Sequence, residues 1–242
     1  MKFNGIDPTS LHPALRVGEE IPPGMAKRMI STVAGTDGEI VSGVKMESGE
    51  YRVRVNFASK NRDEAWTLRE MLAKWAGSSG EKTAELIPTH RPQRCYDAIL
   101  SDIGEPQFSR GFATVDVTFM LPRPVSRSVV SGTASGRGSI KLSVGGSLPA
   151  RPVIRQTIMQ EAGELVWSMD GKPFLTIRAQ LSAGQVVEMD TRYERLTIDG
   201  ANALSAIDPQ ATRWRPGYTC GRHEIVSTDA GKMEMRWHDE WL

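Results

Sequence analysis

The sequence predicts a mainly β protein in two parts. The first is an α+β, β-sandwich-like domain with one helix, and the second is an all-β sandwich or jelly roll. Three observations carry this. Apolar and polar residues alternate with a period of two in several separate runs, which puts one face of a strand on a core and the other in water. A single segment has helical spacing instead. Between the halves lies a stretch rich in Ser, Gly and Pro with no acidic residue.

Taken in order, Tyr51, Val53, Val55 and Phe57 alternate with Arg52, Arg54 and Asn56. Over residues 61–76, Leu68, Met71, Leu72 and Trp75 recur at helical spacing, with Asp63, Glu64, Arg69, Glu70 and Lys74 beside them. Asp63 and Glu64 suit the N-terminal end of the helix dipole, and Gly77 is placed to close the C-terminus. Trp66 and Trp75 read as core aromatics. A strand follows over residues 95–103. Val115, Val117, Phe119 and Leu121 then alternate with Thr114, Asp116, Thr118 and Met120. Ile140, Leu142 and Val144, then Leu175, Ile177 and Ala179, and finally Met233, Met235 and Trp237 repeat the pattern. Turn signals separate the runs at Asp37-Gly38, Ser48-Gly49, Asp170-Gly171, Asp199-Gly200 and Asp208-Pro209. The acid-free stretch at 121–138 reads as a linker or mobile loop. The expected division is residues 1–124, a linker at 125–138, and residues 139–242.

Composition excludes several classes. Hydrophobic residues make up 39% and charged residues 24%, which suits a folded globular chain and not a disordered one. Lys+Arg is 30 and Asp+Glu 29, a net charge of +1. Up to Pro124 there are 16 basic and 16 acidic residues. Neither part is a polycation, so sequence-specific nucleic-acid binding and an anionic membrane surface are not expected partners. No run approaches a membrane span or the apolar core of a signal peptide. Cys95 and Cys220 read as free thiols of a protein made in a reducing cytoplasm.

No catalytic, cofactor-binding or metal site is predicted, and no cofactor. The nucleophile-elbow, Walker A, H-E-x-x-H and CxxC patterns are absent. Gly132, Gly136 and Gly138 resemble part of a phosphate loop but do not sit between a strand and a helix. Cys220 and His223, with His238, have ligand-like spacing but lack a fourth ligand. Cys95 as a nucleophile would need His90 beside it; a buried structural thiol is the better reading. Glu19-Glu20 and Asp239-Glu240 are neighbours on strands and point to opposite faces, so neither is an acid/base pair.

The order of these signals resembles the distal tail protein (Dit) family of phages with long non-contractile tails. Val33-Ala-Gly-Thr-Asp-Gly38 looks like the family's N-terminal turn. Leu72-Ala-Lys-Trp-Ala-Gly77 looks like the end of its helix, and Arg94-Cys-Tyr-Asp-Ala-Ile-Leu100 like its aromatic strand. Residues 112–124 match a strand that ends in Pro before the second domain. Tyr193-Glu-Arg-Leu-Thr-Ile-Asp-Gly200, Trp214-Arg-Pro-Gly217 and residues 233–241 follow in the family's order. Departures fall at Thr36, where a basic residue is usual, and at Arg222 or His223, where Asn is. The resemblance implies that the second half is galectin-like and that a last strand near 232–242 returns to the N-terminal domain. It also implies a non-enzymatic structural protein of the virion, at the distal end of the tail. There a homohexameric ring would join the tail tube protein to the tail-tip or baseplate hub and let DNA pass, with receptor-binding protein a further partner to consider.

Two other readings compete. A galectin-like fold invites a carbohydrate-binding lectin for host adsorption, and Trp237-His-Asp-Glu240 gives half of a Trp-x-x-Glu-x-Arg strand, although the H-x-N-P-R motif is missing. A tail-associated hydrolase is the third reading, and no constellation supports it.

Overall fold

In the computed structural model the first alternating run forms the strand Gly49–Ala58, with Tyr51, Val53, Val55 and Phe57 all buried. The structure describes residues 1–24, 27–31, 40–45, 47–213 and 218–242. The expected turn at Asp37-Gly38, the stretch 33–38 that includes Thr36, and the motif at 214–217 lie outside the described residues. The chain divides into two compact units, Met1–Val129 with Leu242, and Val130–Trp241.

The first unit is a sheet with a helix on one face. Gly49–Ala58 pairs antiparallel with Phe112–Leu121 over its whole length, Tyr51 opposite Phe119 and Val55 opposite Val115. The sheet continues in one direction through Arg94–Ile103 and Ala84–Ile87 to Lys2–Phe3, and in the other to Arg16–Ile21. A separate antiparallel pair is formed by Lys27–Ser31 and Ile40–Lys45. The helix is Arg62–Ala76. Asn61 is its N-cap: the side chain accepts a hydrogen bond from the Glu64 amide at 2.9 Å. The Glu64 carboxylate accepts in return from the Lys60 amide at 2.6 Å. Gly77 ends the helix with its amide on the Ala73 carbonyl, but at φ −85°; the left-handed residue is Gly80. Ala65, Leu68, Leu72 and Trp75 face the sheet, where Trp75 meets Phe3 and Phe119 edge-on. Trp66 stands 44% exposed, contrary to the core reading, because it lies one residue, about 100° of helix, off that stripe. Its ring stacks 5.4 Å from the Arg69 guanidinium.

The second unit is a sandwich of two sheets around one core. The larger runs in the order Gly132–Arg137, Lys232–Trp237, Val153–Thr157, Val186–Asp190, Arg195–Ile198, Ala201–Asn202. The smaller runs Ser139–Val144, Gly221–Ser227, Ala162–Met169, Lys172–Leu181. Ile140, Leu142 and Val144 of one sheet and Met233, Met235 and Trp237 of the other are buried in that core. Asp170-Gly171 and Asp199-Gly200 form tight turns with positive φ at both residues, the type that suits the twist of a hairpin. Asp208 opens a turn by accepting from the Gln210 amide at 3.0 Å. The segment beyond it seals a sheet edge: the amides of Asp208 and Arg213 donate to the carbonyls of Thr176 and Phe174. Phe174 and Thr176 are therefore buried as well as Leu175 and Ile177, so the expected alternation fails in this strand.

The linker expected at 125–138 is corrected by the structure. Ser126–Ser128 pairs with Arg94–Ile103, and Gly132–Arg137 pairs residue for residue with Lys232–Trp237. Its small residues serve close approach: a Cβ on Gly132 would stand 2.6 Å from Cζ2 of Trp237.

Candidate functional site

Cys95, His90 and Glu20 are held in structural contacts. Cys95 is fully buried on the strand Arg94–Ile103, opposite Arg127. Burial pushes its thiol up to about 11, which leaves it inert at neutral pH. His90 turns instead to Glu20, with Nδ1 3.3 Å from the carboxylate. Glu19 and Glu20 point to opposite faces, as adjacent strand residues must. Glu20 faces inward and accepts from the Tyr51 hydroxyl at 2.8 Å and the Thr89 amide at 3.1 Å. Glu19 faces outward, 3.1 Å from Arg54.

In the second unit Cys220 is exposed, and His223 belongs to a different constellation. Its Nδ1 lies 2.8 Å from the Asp170 carboxylate and its Nε2 2.8 Å from the Thr219 carbonyl. Among the described residues no three His, Cys, Asp or Glu side chains gather as metal ligands would. Trp237 and Glu240 are buried, 7% and 5% exposed. The Asp239 carboxylate accepts from the Gly145 amide at 2.9 Å. Trp237 ends the strand Lys232–Trp237, and Glu240 begins a separate short strand, Glu240–Trp241.

What the molecule does present is strand. In the first unit the outward face of the sheet is polar and internally neutralised. Arg54 donates to Asp116 at 2.9 Å and to Glu19 at 3.1 Å, Arg52 to Glu50 at 2.7 Å, and Thr114 to Asn56 at 3.0 Å. The edge strand Arg16–Ile21 pairs, among the described strands, only with Gly49–Ala58, so one row of its backbone groups faces outward. In the second unit a cleft of about 600 Å³ lies on the outer face of the larger sheet, lined by Thr133, Ser135, Arg155, Glu188, Glu234 and Arg236 among others.

Sequence reasoning missed the Asp170–His223 pair, which is 53 residues apart and joined only by sheet register. It also missed a buried polar chain. Trp167 donates from its indole to Gln156 at 2.6 Å, and Gln156 donates to the Asp229 carbonyl at 2.9 Å. The Asp229 carboxylate accepts from the amides of Gly231 and Met159. No motif marks such a network.

Comparison with known proteins places this arrangement. Residues 145–241 match the family model for the siphovirus-type tail component, C-terminal domain. Over the whole chain the fold matches the crystal structure of the Dit protein (gp 19.1) of phage SPP1, described as a paradigm of the hub adsorption apparatus in phages that infect Gram-positive bacteria. The TM-score is 0.78 at 16% identity, covering 100% of this chain and 98% of that one. A chain of the phage P2 baseplate, in its activated conformation with Ca, matches with a TM-score of 0.51 at 11% identity, covering 93% and 90%. No curated protein matches by sequence. At these identities what is shared is the fold. The mainly β chain has the fold of a phage Dit protein, and residues 145–241 of its second unit are similar to the tail-component domain.

Proposed function

We propose that this chain is a structural, non-enzymatic distal tail protein of a long-tailed phage, sited in the virion at the far end of the tail. Six copies close into a ring between the tail tube protein and the tail-tip or baseplate hub, and DNA passes through the opening. The observation that carries this reading is the match of both units, end to end, to one Dit protein. The tail-component family match to the second unit supports it independently.

Ring closure falls to the first unit. A sheet with an outward edge strand such as Arg16–Ile21 can pair head to tail with another copy, and such a heterologous contact either closes or grows into a filament. A conduit should not grip its cargo. Equal numbers of acidic and basic residues up to Pro124, and the paired charges around Arg54, fit that need. The second unit then faces outward toward the hub and receptor-binding proteins.

The test is the symmetry of density at the tail end of intact particles, with native mass spectrometry of the purified protein. A sixfold ring containing this chain is expected. Its absence from the tail end, or a ring built by the second unit alone, would overturn the assignment.

A further inference from the structure

We infer that His223 is a proton-operated latch that ties the segment at Thr219 and Cys220 to the Asp170-Gly171 hairpin turn. The inference stands apart from the proposed place in the tail. It rests on hydrogen-bond valence. Both ring nitrogens lie 2.8 Å from groups that only accept, a carboxylate on one side and a backbone carbonyl on the other. A neutral imidazole has one N–H and can satisfy only one of them. Both bonds form together only on the imidazolium.

The two sides of the latch differ in strength. The Asp170 side is fixed by backbone as well: the Asp170 amide donates to the Glu224 carbonyl, and the Glu224 amide donates to the other Asp170 oxygen at 2.9 Å. The Thr219 carbonyl has, from this side chain, the Nε2 bond alone. On loss of the proton the remaining N–H stays with the charged Asp170 partner, and the Nε2 lone pair then faces the Thr219 carbonyl. Repulsion between two acceptors opens that side. The imidazole is mostly enclosed, 11% exposed, so water replaces the lost bond poorly.

The surroundings are balanced. On its own strand His223 sits between Arg222 and Glu224, with Cys220 just before it. Lys141 lies on the paired strand, 4.0 Å from Glu224. Lys172 and Arg213 line the space on the far side of Asp170. Burial lowers the affinity of His223 for its proton, but the bonds to Asp170 and Thr219 outweigh it, and the net shift is upward from 6.5. Asp170 is shifted downward from 3.8, chiefly by its bond to His223. The sign follows. The latch is fully closed below about pH 6.5, where an unfolded histidine is also charged, and opens as pH rises through the higher folded value. In acid it fails again, as Asp170 gains a proton below its ordinary range.

The experiment is a two-dimensional NMR titration of the histidine rings in the full chain, paired with hydrogen exchange over residues 218–222, corrected for the intrinsic pH dependence of exchange. His223 is expected to titrate above the ordinary histidine value of 6.5, and Asp170→Asn to bring it back toward that value. Exchange in that segment should rise about tenfold across the same titration, the loss of one charge-assisted hydrogen bond. In His223→Gln the step should vanish with the protein still folded. A His223 that titrates at or below the ordinary value, an unchanged titration in Asp170→Asn, or exchange that does not follow the imidazole would each overturn the latch.

Discussion

The indole of Trp237 packs closely against the backbone of Gly132, directly opposite it in the larger sheet of the second unit. The glycine is there because the tryptophan is. Gly132→Ala should therefore destabilise the second unit by about 1–3 kcal/mol through overpacking. Trp237→Ala should cost about 3–5 kcal/mol as a buried aromatic is lost. In the double variant the alanine methyl no longer meets a ring, so the double variant should cost less than the sum of the two single costs. A double-mutant cycle by urea unfolding measures the coupling, and strict additivity would show that the two residues do not constrain one another.

The buried chain from Trp167 through Gln156 to Asp229 makes a second prediction. Gln156→Leu keeps the volume but strands the Trp167 N–H, which then has no partner at 0% exposure. A loss of about 1–3 kcal/mol is expected, the cost of an unpaired buried donor. Gln156→Glu can still accept from the indole but places a second carboxylate beside Asp229. It should lose more stability at pH 8 than at pH 5. Equal thermal midpoints for Gln156→Leu and the parent protein would remove the network from the stability of this unit.

Acid stability should depend on Glu20. Burial alone would raise its carboxyl, but the bonds from Thr89 and Tyr51 outweigh it, and the net shift is downward from 4.5. A carboxyl depressed in the folded state contributes stability above its unfolded value and loses it as pH falls through the folded one. Glu20→Gln should therefore be less stable at neutral pH, and its stability should fall less between about pH 4.5 and pH 3 than that of the parent. Circular dichroism melts across that range supply the comparison; parallel curves would rule out Glu20 as the titrating group.

The two thiols should react very differently. Cys220 is exposed, whereas Cys95 is buried with its thiol pushed up to about 11. One thiol should react with a chromogenic disulfide in the native protein and both in denaturant, since thiolate and access set the rate. A second fast thiol without denaturant would mean that the strand Arg94–Ile103 opens under native conditions.

Much of the fold was legible because its code is local. The runs at Tyr51 and Val115 fall inward as period two requires, and both Asp-Gly hairpin turns in the second unit take the expected left-handed backbone. What could not be read depends on distant partners. The strand Gly132–Arg137 has no apolar alternation of its own, because its packing comes from Trp237, and its composition imitates a flexible joint. Trp66 and Trp75 share a helix and a residue type, yet a 100° difference in direction separates surface from core. At the candidate surfaces the sequence offered no motif to start from. It could not show that His223 would meet Asp170, because that encounter is a product of sheet register.

The sealed edge at Thr176 gives strand addition at this sheet a single side. Among the described strands, the smaller sheet of the second unit keeps Ser139–Val144 as an uncovered edge, while Lys172–Leu181 is occupied by the chain's own Asp208 to Arg213 segment. A sheet with two open edges can be extended on both sides; a sheet with one can be extended on that side alone. Strand addition at this sheet is thus directed to the Ser139–Val144 side.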